Sequence, residues 1–195
     1  MPSQSLRFTG DPPADELLAT DPLALLIGML LDQQFPMERA FHSPYELKER
    51  LGGRLDVAAI ASMDAEALAA VFRGPPALHR YPGSMAGRTQ ELCRALLERF
   101  DGKAEQVWAS AETGNDLFAN LRSLPGFGEQ KSRIFTAVLA KQLDVTPPGW
   151  EEAAGPYAAV GHFSVADIDG PEALAAVREH KKAVKSAAKA AKAET

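Results

Sequence analysis

Apolar residues recur at three- and four-residue spacing along most of the chain, and capping residues cut that pattern into segments. Asp21-Pro22 supplies an N-cap and a first-turn proline for a helix running to about Gln34. Ser43-Pro44 opens a second helix, closed by Gly52-Gly53, and Asp56 and Asp64 head two short ones that end by Gly74. A long helix is expected from about Met85 to Phe100, stopped at Gly102. Asn115 heads a short one to Ser123, and another runs from about Glu129 to Leu143. Asp169-Gly170-Pro171 starts a last, alanine-rich helix that frays near Ala191. No segment alternates apolar and polar positions in the β manner and no repeat has a fixed period, so the expected fold class is all-α. Met85, Cys93 and Trp108 fall at apolar helical positions and are expected in the core.

The segment Leu124-Pro125-Gly126-Phe127-Gly128 joins two of these helices. Its two spaced glycines allow a sharp turn and a close approach by another backbone. The helix that follows begins at Glu129, so its free amides and positive dipole end leave the same turn. A phosphate placed there meets several donors with no base specificity. Lys131 and Arg133 lie just beyond and add positive charge. The same spacing also suits a plain corner between two helices with a glycine C-cap.

Charge sharpens the choice. The chain of 195 residues has a formal net charge of −5, which taken whole argues against nucleic acid. The charge is uneven, however. Residues 73–143 carry 10 Lys+Arg against 7 Asp+Glu, whereas residues 1–72 carry 5 against 11. The turn therefore lies in the basic third, and binding needs a local positive face rather than a positive total. His79-Arg80-Tyr81, with Arg73 and Arg88, forms a basic-aromatic patch suited either to phosphate contact and base stacking or to a solvated loop around one buried Tyr. Residues 178–192 hold six Lys+Arg and one Glu spaced in alanine, as either a weak DNA-binding helix or a solubilising one. The single cysteine excludes an internal disulfide and any thiolate cluster, and the four histidines lack ligand spacing, so no metal and no cofactor are expected. The longest apolar run, Leu23 to Leu31, is too short to span a bilayer, and a cytoplasmic protein without membrane contact is expected.

Ser123-Leu124-Pro125-Gly126-Phe127-Gly128 followed by an apolar helix resembles the helix-hairpin-helix of the HhH-GPD superfamily of DNA glycosylases. The run Pro22 to Gln34, ending Asp32-Gln33-Gln34, is similar to the family's early helix with its Ser-x-Gln or Ser-Gln-Gln end. Arg88-Thr89-Gln90-Glu91-Leu92 leading to Leu97 is similar to the helix placed before the hairpin. The three occur in the family's order and cover about residues 20–145. The resemblance implies a two-lobed, all-α glycosylase-like fold over residues 21–155, with the hairpin at 123–129. An N-terminal segment, 1–20, and a C-terminal extension with the basic helix, 156–195, flank it.

The resemblance also implies base excision repair. A damaged or mismatched base is flipped from duplex DNA and its N-glycosidic bond is cleaved. By position, Gln34 matches the glutamine that fills the vacated stack, with Gln33 beside it; alternatively the pair only ends the helix at a polar surface. The hairpin residues 124–128, with Gln130, Lys131 and Arg88, are the remaining DNA-binding candidates. The family's catalytic Asp is expected about twenty residues beyond Gly128, where Pro148 stands instead. Glu151 and Glu152 follow the Pro147-Pro148-Gly149-Trp150 loop and become the catalytic candidates; otherwise they are ordinary first-turn acids of a short helix. The lyase members place a Schiff-base Lys two residues after the second glycine. Here that residue is Gln130, and Lys131 is turned about 100° from it on a helix. The expectation is therefore a monofunctional glycosylase, monomeric on double-stranded DNA. The alternative is a catalytically inactive DNA-binding module that kept the hairpin and lost the acid.

Overall fold

The computed structural model describes residues 6–193. Among them the chain forms eleven α-helices, two short 3-10 turns and no strand, as the apolar spacing requires. The helices are α1 (Pro12–Thr20), α2 (Pro22–Leu31), α3 (Met37–Arg50), α4 (Val57–Ser62), α5 (Ala65–Arg73) and α6 (Pro82–Phe100). They continue with α7 (Gln106–Ala109), α8 (Gly114–Arg122), α9 (Glu129–Leu143), α10 (Trp150–Ala154) and α11 (Pro171–Ala193). One connected apolar core runs through the described chain from Leu6 to Val177.

Asp21, Asp56 and Asp64 each cap a helix with the side chain, Asp21 accepting from the Leu23 and Ala24 amides. The apolar run Leu23–Leu31 is buried throughout, which makes α2 the central helix, packed against α1, α3 and α6. No helix of the described residues is long and apolar enough to cross a membrane. Met85 and Cys93 are buried and Trp108 packs half-buried against the core. Burial pushes the Cys93 thiol up to about 12.

Several boundaries differ from the sequence expectation: α2 stops at Leu31 rather than about Gln34, so Gln34 lies beyond the helix, and α6 starts at Pro82 rather than Met85. α3 starts at Met37 and carries Pro44 inside it rather than at its head. Pro44 has no N–H to give Ala40. Beside it, Ser43 Oγ lies within hydrogen-bond distance of the Arg39 carbonyl (2.8 Å) and the Leu78 carbonyl (2.6 Å), which ties the helix to the loop before α6. α8 is capped by Thr113 rather than Asn115, through a capping box with Asp116. The N-terminal segment also contains a helix, α1. There the buried Asp15 accepts hydrogen bonds from the Phe8 amide (3.0 Å) and the Thr9 amide (2.9 Å) and folds residues 6–11 back on the core.

Candidate nucleic-acid interface

The hairpin is held from below by its own apolar residues. Leu124 and Phe127 are buried, and Phe127 meets Phe135 of α9 edge-on with ring centroids 5.9 Å apart. Arg99 of α6 bonds the Ser123 carbonyl, so the end of α8 is fixed to the long helix. The two glycines serve different purposes. Gly126 adopts φ +82°, and a Cβ placed on it would lie 2.5 Å from Leu30 Cδ1, so its lack of a side chain lets the turn press against α2. Gly128 has φ −72°, is exposed, and a Cβ there would meet nothing within 4 Å. It is the N-cap of α9 and gives no side-chain cap, so the first-turn amides Glu129, Gln130 and Lys131 have no helical or capping acceptor. An anion-receptive helix end therefore faces open space from a rigid base.

Beside that end lies a cavity of about 720 Å³, the size of a small-molecule site. The end of α2 and the loop after it (Met29, Asp32, Gln33, Gln34, Phe35, Pro36) form one wall. The first turns of α9 (Gln130, Lys131, Ile134) form the second, and Arg80 with Lys181 and Lys185 of α11 close it. Four cations and one carboxylate line it, which makes it electropositive. Next to it, Tyr157, Phe163 and His180 line a smaller apolar recess that shares Gln130, Ile134, Lys181 and Lys185 with the cavity.

The structure brings Gln33, Gln34, Gln130 and Lys131 together in this cavity. Gln33 is tied down: its Nε2 donates to the Leu30 carbonyl (2.8 Å) and its Oε1 accepts from Arg88 (2.9 Å). Gln34 is exposed with a left-handed backbone, φ 50°, a conformation that costs a non-glycine residue about 1–2 kcal/mol. Gln130 donates to the Tyr157 hydroxyl at 3.0 Å.

Lys131 is not turned away from this wall, because its four-carbon stem reaches back across α9 to the end of α2. Its Nζ donates to the Met29 carbonyl (2.5 Å) and the Leu30 carbonyl (3.2 Å), with Asp32 O at 3.4 Å. Burial lowers its pKa to about 8, against the opposing Asp32 carboxylate and with smaller help from Arg88 and Lys181.

Glu151 and Glu152 stand elsewhere. The Gly114 amide donates to the Pro148 carbonyl at 2.8 Å, and a Cβ on Gly114 would lie 2.3 Å from the Gly149 carbonyl oxygen. This backbone contact locks the proline loop against the head of α8, so α10 packs on α8 and α9 through Ala153 and Ala154. Both glutamates are exposed in its first turn and neither lines the cavity.

In the basic-aromatic patch the buried ring is His79, whereas Tyr81 is 43% exposed with the Arg80 guanidinium 5.3 Å from its ring centre. The Tyr81 amide donates to His79 Nδ1, so the ring proton is assigned to Nε2, which donates to the Leu31 (3.1 Å) and Gln33 (3.0 Å) carbonyls. Burial lowers the His79 pKa, against those two backbone bonds and with lesser contributions from Lys131 and Arg88. Sequence reasoning missed this link, and it missed Asp32 as a cavity wall. Both depend on where α2 ends relative to distant segments, and no local pattern carries that information.

No protein-family model, curated protein or solved structure matches the chain. Among the described residues no three His, Cys, Asp or Glu side chains gather in a way that would hold a metal ion.

Proposed function

We propose that this chain binds duplex DNA through the 123–129 hairpin and accepts a flipped nucleotide in the cavity beside it, as a monofunctional DNA glycosylase of the helix-hairpin-helix class acting in base excision repair. The observation that carries this reading is the uncapped N-terminus of α9, presented at exposed Gly128 by a turn whose apolar residues are buried. Supporting it, the cavity lies directly against that helix end, is electropositive, and has the exposed Gln34 on its wall. A backbone phosphate on the α9 amides would place the neighbouring nucleotide near its mouth.

A second reading, a DNA-binding module without chemistry, is favoured by the position of Glu151 and Glu152 outside the cavity. Both readings predict duplex binding that weakens with salt. Gly128→Glu puts a carboxylate near where the phosphate would sit, from a position whose Cβ meets nothing within 4 Å, so it should weaken binding at least about tenfold with an unchanged melting temperature. Absence of binding by the wild-type chain at low salt would overturn both. Release of a base from duplexes carrying uracil, hypoxanthine, an alkylated adenine or an oxidised guanine separates enzyme from module.

A further inference from the structure

The acid expected after the hairpin does not reach the cavity, yet the cavity contains one. Asp32, the residue that ends α2, is the only carboxylate among its lining residues. Its side chain is 16% exposed, and Lys181 Nζ of α11 stands 3.9 Å from its Oδ2. The Asp32 carbonyl faces Lys131 Nζ at 3.4 Å, so the residue is fixed at its backbone by the same lysine that closes α2 onto α9. The Asp32 amide donates to the Gly28 carbonyl at 3.1 Å, completing the last turn. The carboxylate therefore projects from a rigid helix end, two residues before the exposed Gln34 and across from the uncapped head of α9.

We propose that Asp32 is the catalytic carboxylate of this chain, taking the part that the family resemblance gives to an acid after the hairpin. The assignment rests on the glycosylase reading above. A sugar whose C1′–N bond is breaking carries developing positive charge, and a fixed anion in a half-buried site stabilises it more than an exposed one. The bond breaks with its electron pair leaving on the base. Water adds its oxygen to C1′, and the proton it loses passes to Asp32 and from there to the departing base nitrogen. The sum is hydrolysis, with water the only co-reactant. Lys131 and Lys181 then serve as positioning residues that hold the carboxylate and the α2 end in place.

The test compares the full-length wild type with Asp32→Asn, Asp32→Glu and the double variant Glu151→Gln/Glu152→Gln. Each is assayed for duplex binding and for single-turnover release of uracil, hypoxanthine, alkylated adenine and oxidised guanine. Asp32→Asn preserves the shape of the helix end and should bind duplex as well as the wild type or better, since one negative charge is gone. Its release rate should fall at least about a hundredfold, with partial recovery in Asp32→Glu and no loss in the double variant. Undiminished release by Asp32→Asn, or loss in the double variant alone, overturns the assignment while leaving the glycosylase reading intact. Duplex binding by the wild type without release of any of the four bases also overturns it and leaves the module reading. Absence of duplex binding removes the reading on which it rests.

Discussion

Lys131 Nζ donates a hydrogen bond of 2.5 Å to the Met29 carbonyl, so the first turn of one helix closes the open end of another 102 positions earlier in the chain. This contact ties the end of α2 to the head of α9, and the cavity lies between them. It comes at an electrostatic cost, because the ammonium is buried and its pKa falls from 10.5 to about 8. Between those values the unfolded chain holds more protons on this lysine than the folded chain does. Unfolding free energy should therefore rise with pH from about 8 to 10.5, by up to about 3 kcal/mol from this residue, while below pH 8 the penalty is present in full. Chemical denaturation of wild type and Lys131→Met across this range checks the point. The wild type should gain on the variant as pH rises, and a constant difference contradicts the burial argument.

Gly126 and Gly128 should part company under substitution. Gly126→Ala meets both a left-handed backbone and Leu30, and should cost about 2–4 kcal/mol of stability. Gly128→Ala meets neither and should stay within about 0.5 kcal/mol. Thermal melts of the two variants decide this, and equal melting temperatures would show that the turn does not press on α2 as described.

Gln34 holds a strained backbone on an exposed cavity wall. Gln34→Gly relieves that strain and should stabilise the fold by up to about 1 kcal/mol after the entropy of glycine is counted. If the side chain fills the stack left by a flipped base, the same variant should bind duplex containing an abasic site less tightly. A melt and a binding curve on one sample give both numbers, and a stabilised variant with unchanged affinity would remove the wedge role.

The first half of the basic helix α11 is anchored to the rest of the chain. Ala173 and Val177 are buried, Arg178 pairs with Glu38, and residues 181–192 are exposed. A chain ending at Lys185, which keeps the two lysines that line the cavity, should lose less than about 1 kcal/mol, which for this size is about 2–4 °C in melting temperature. It should bind duplex with a shallower salt dependence, by about one unit for each lysine that contacted a phosphate. An unchanged slope would make these lysines a solubilising face.

Much of the fold was legible because caps act locally. Asp21, Asp56 and Asp64 announce helices within a few residues of themselves, and all three side chains make the expected bonds. Pro44 misled because a first-turn signal and a tolerated interior proline look alike until Ser43 Oγ is seen at the Arg39 carbonyl. The turn at 124–128 was legible as a turn, and its glycines as necessary. The two different reasons for them were not, since one is Leu30 and the other is empty space. Asp32 and His79 were hidden for a related cause. Asp32 stands 99 positions from Lys131, and His79 stands 48 positions from the Leu31 carbonyl it meets. Only the closed fold brings these groups together.

Duplex binding through the hairpin requires that the head of α9 hold a phosphate. Backbone amide resonances of the wild-type chain, followed as a short undamaged duplex is added at low salt, address that atom by atom. The amides of residues 126–131 should shift first and furthest, and the shifts should vanish as salt is raised. Duplex-induced shifts confined to α11, with the amides of 126–131 unmoved, would contradict the hairpin as the grip on DNA.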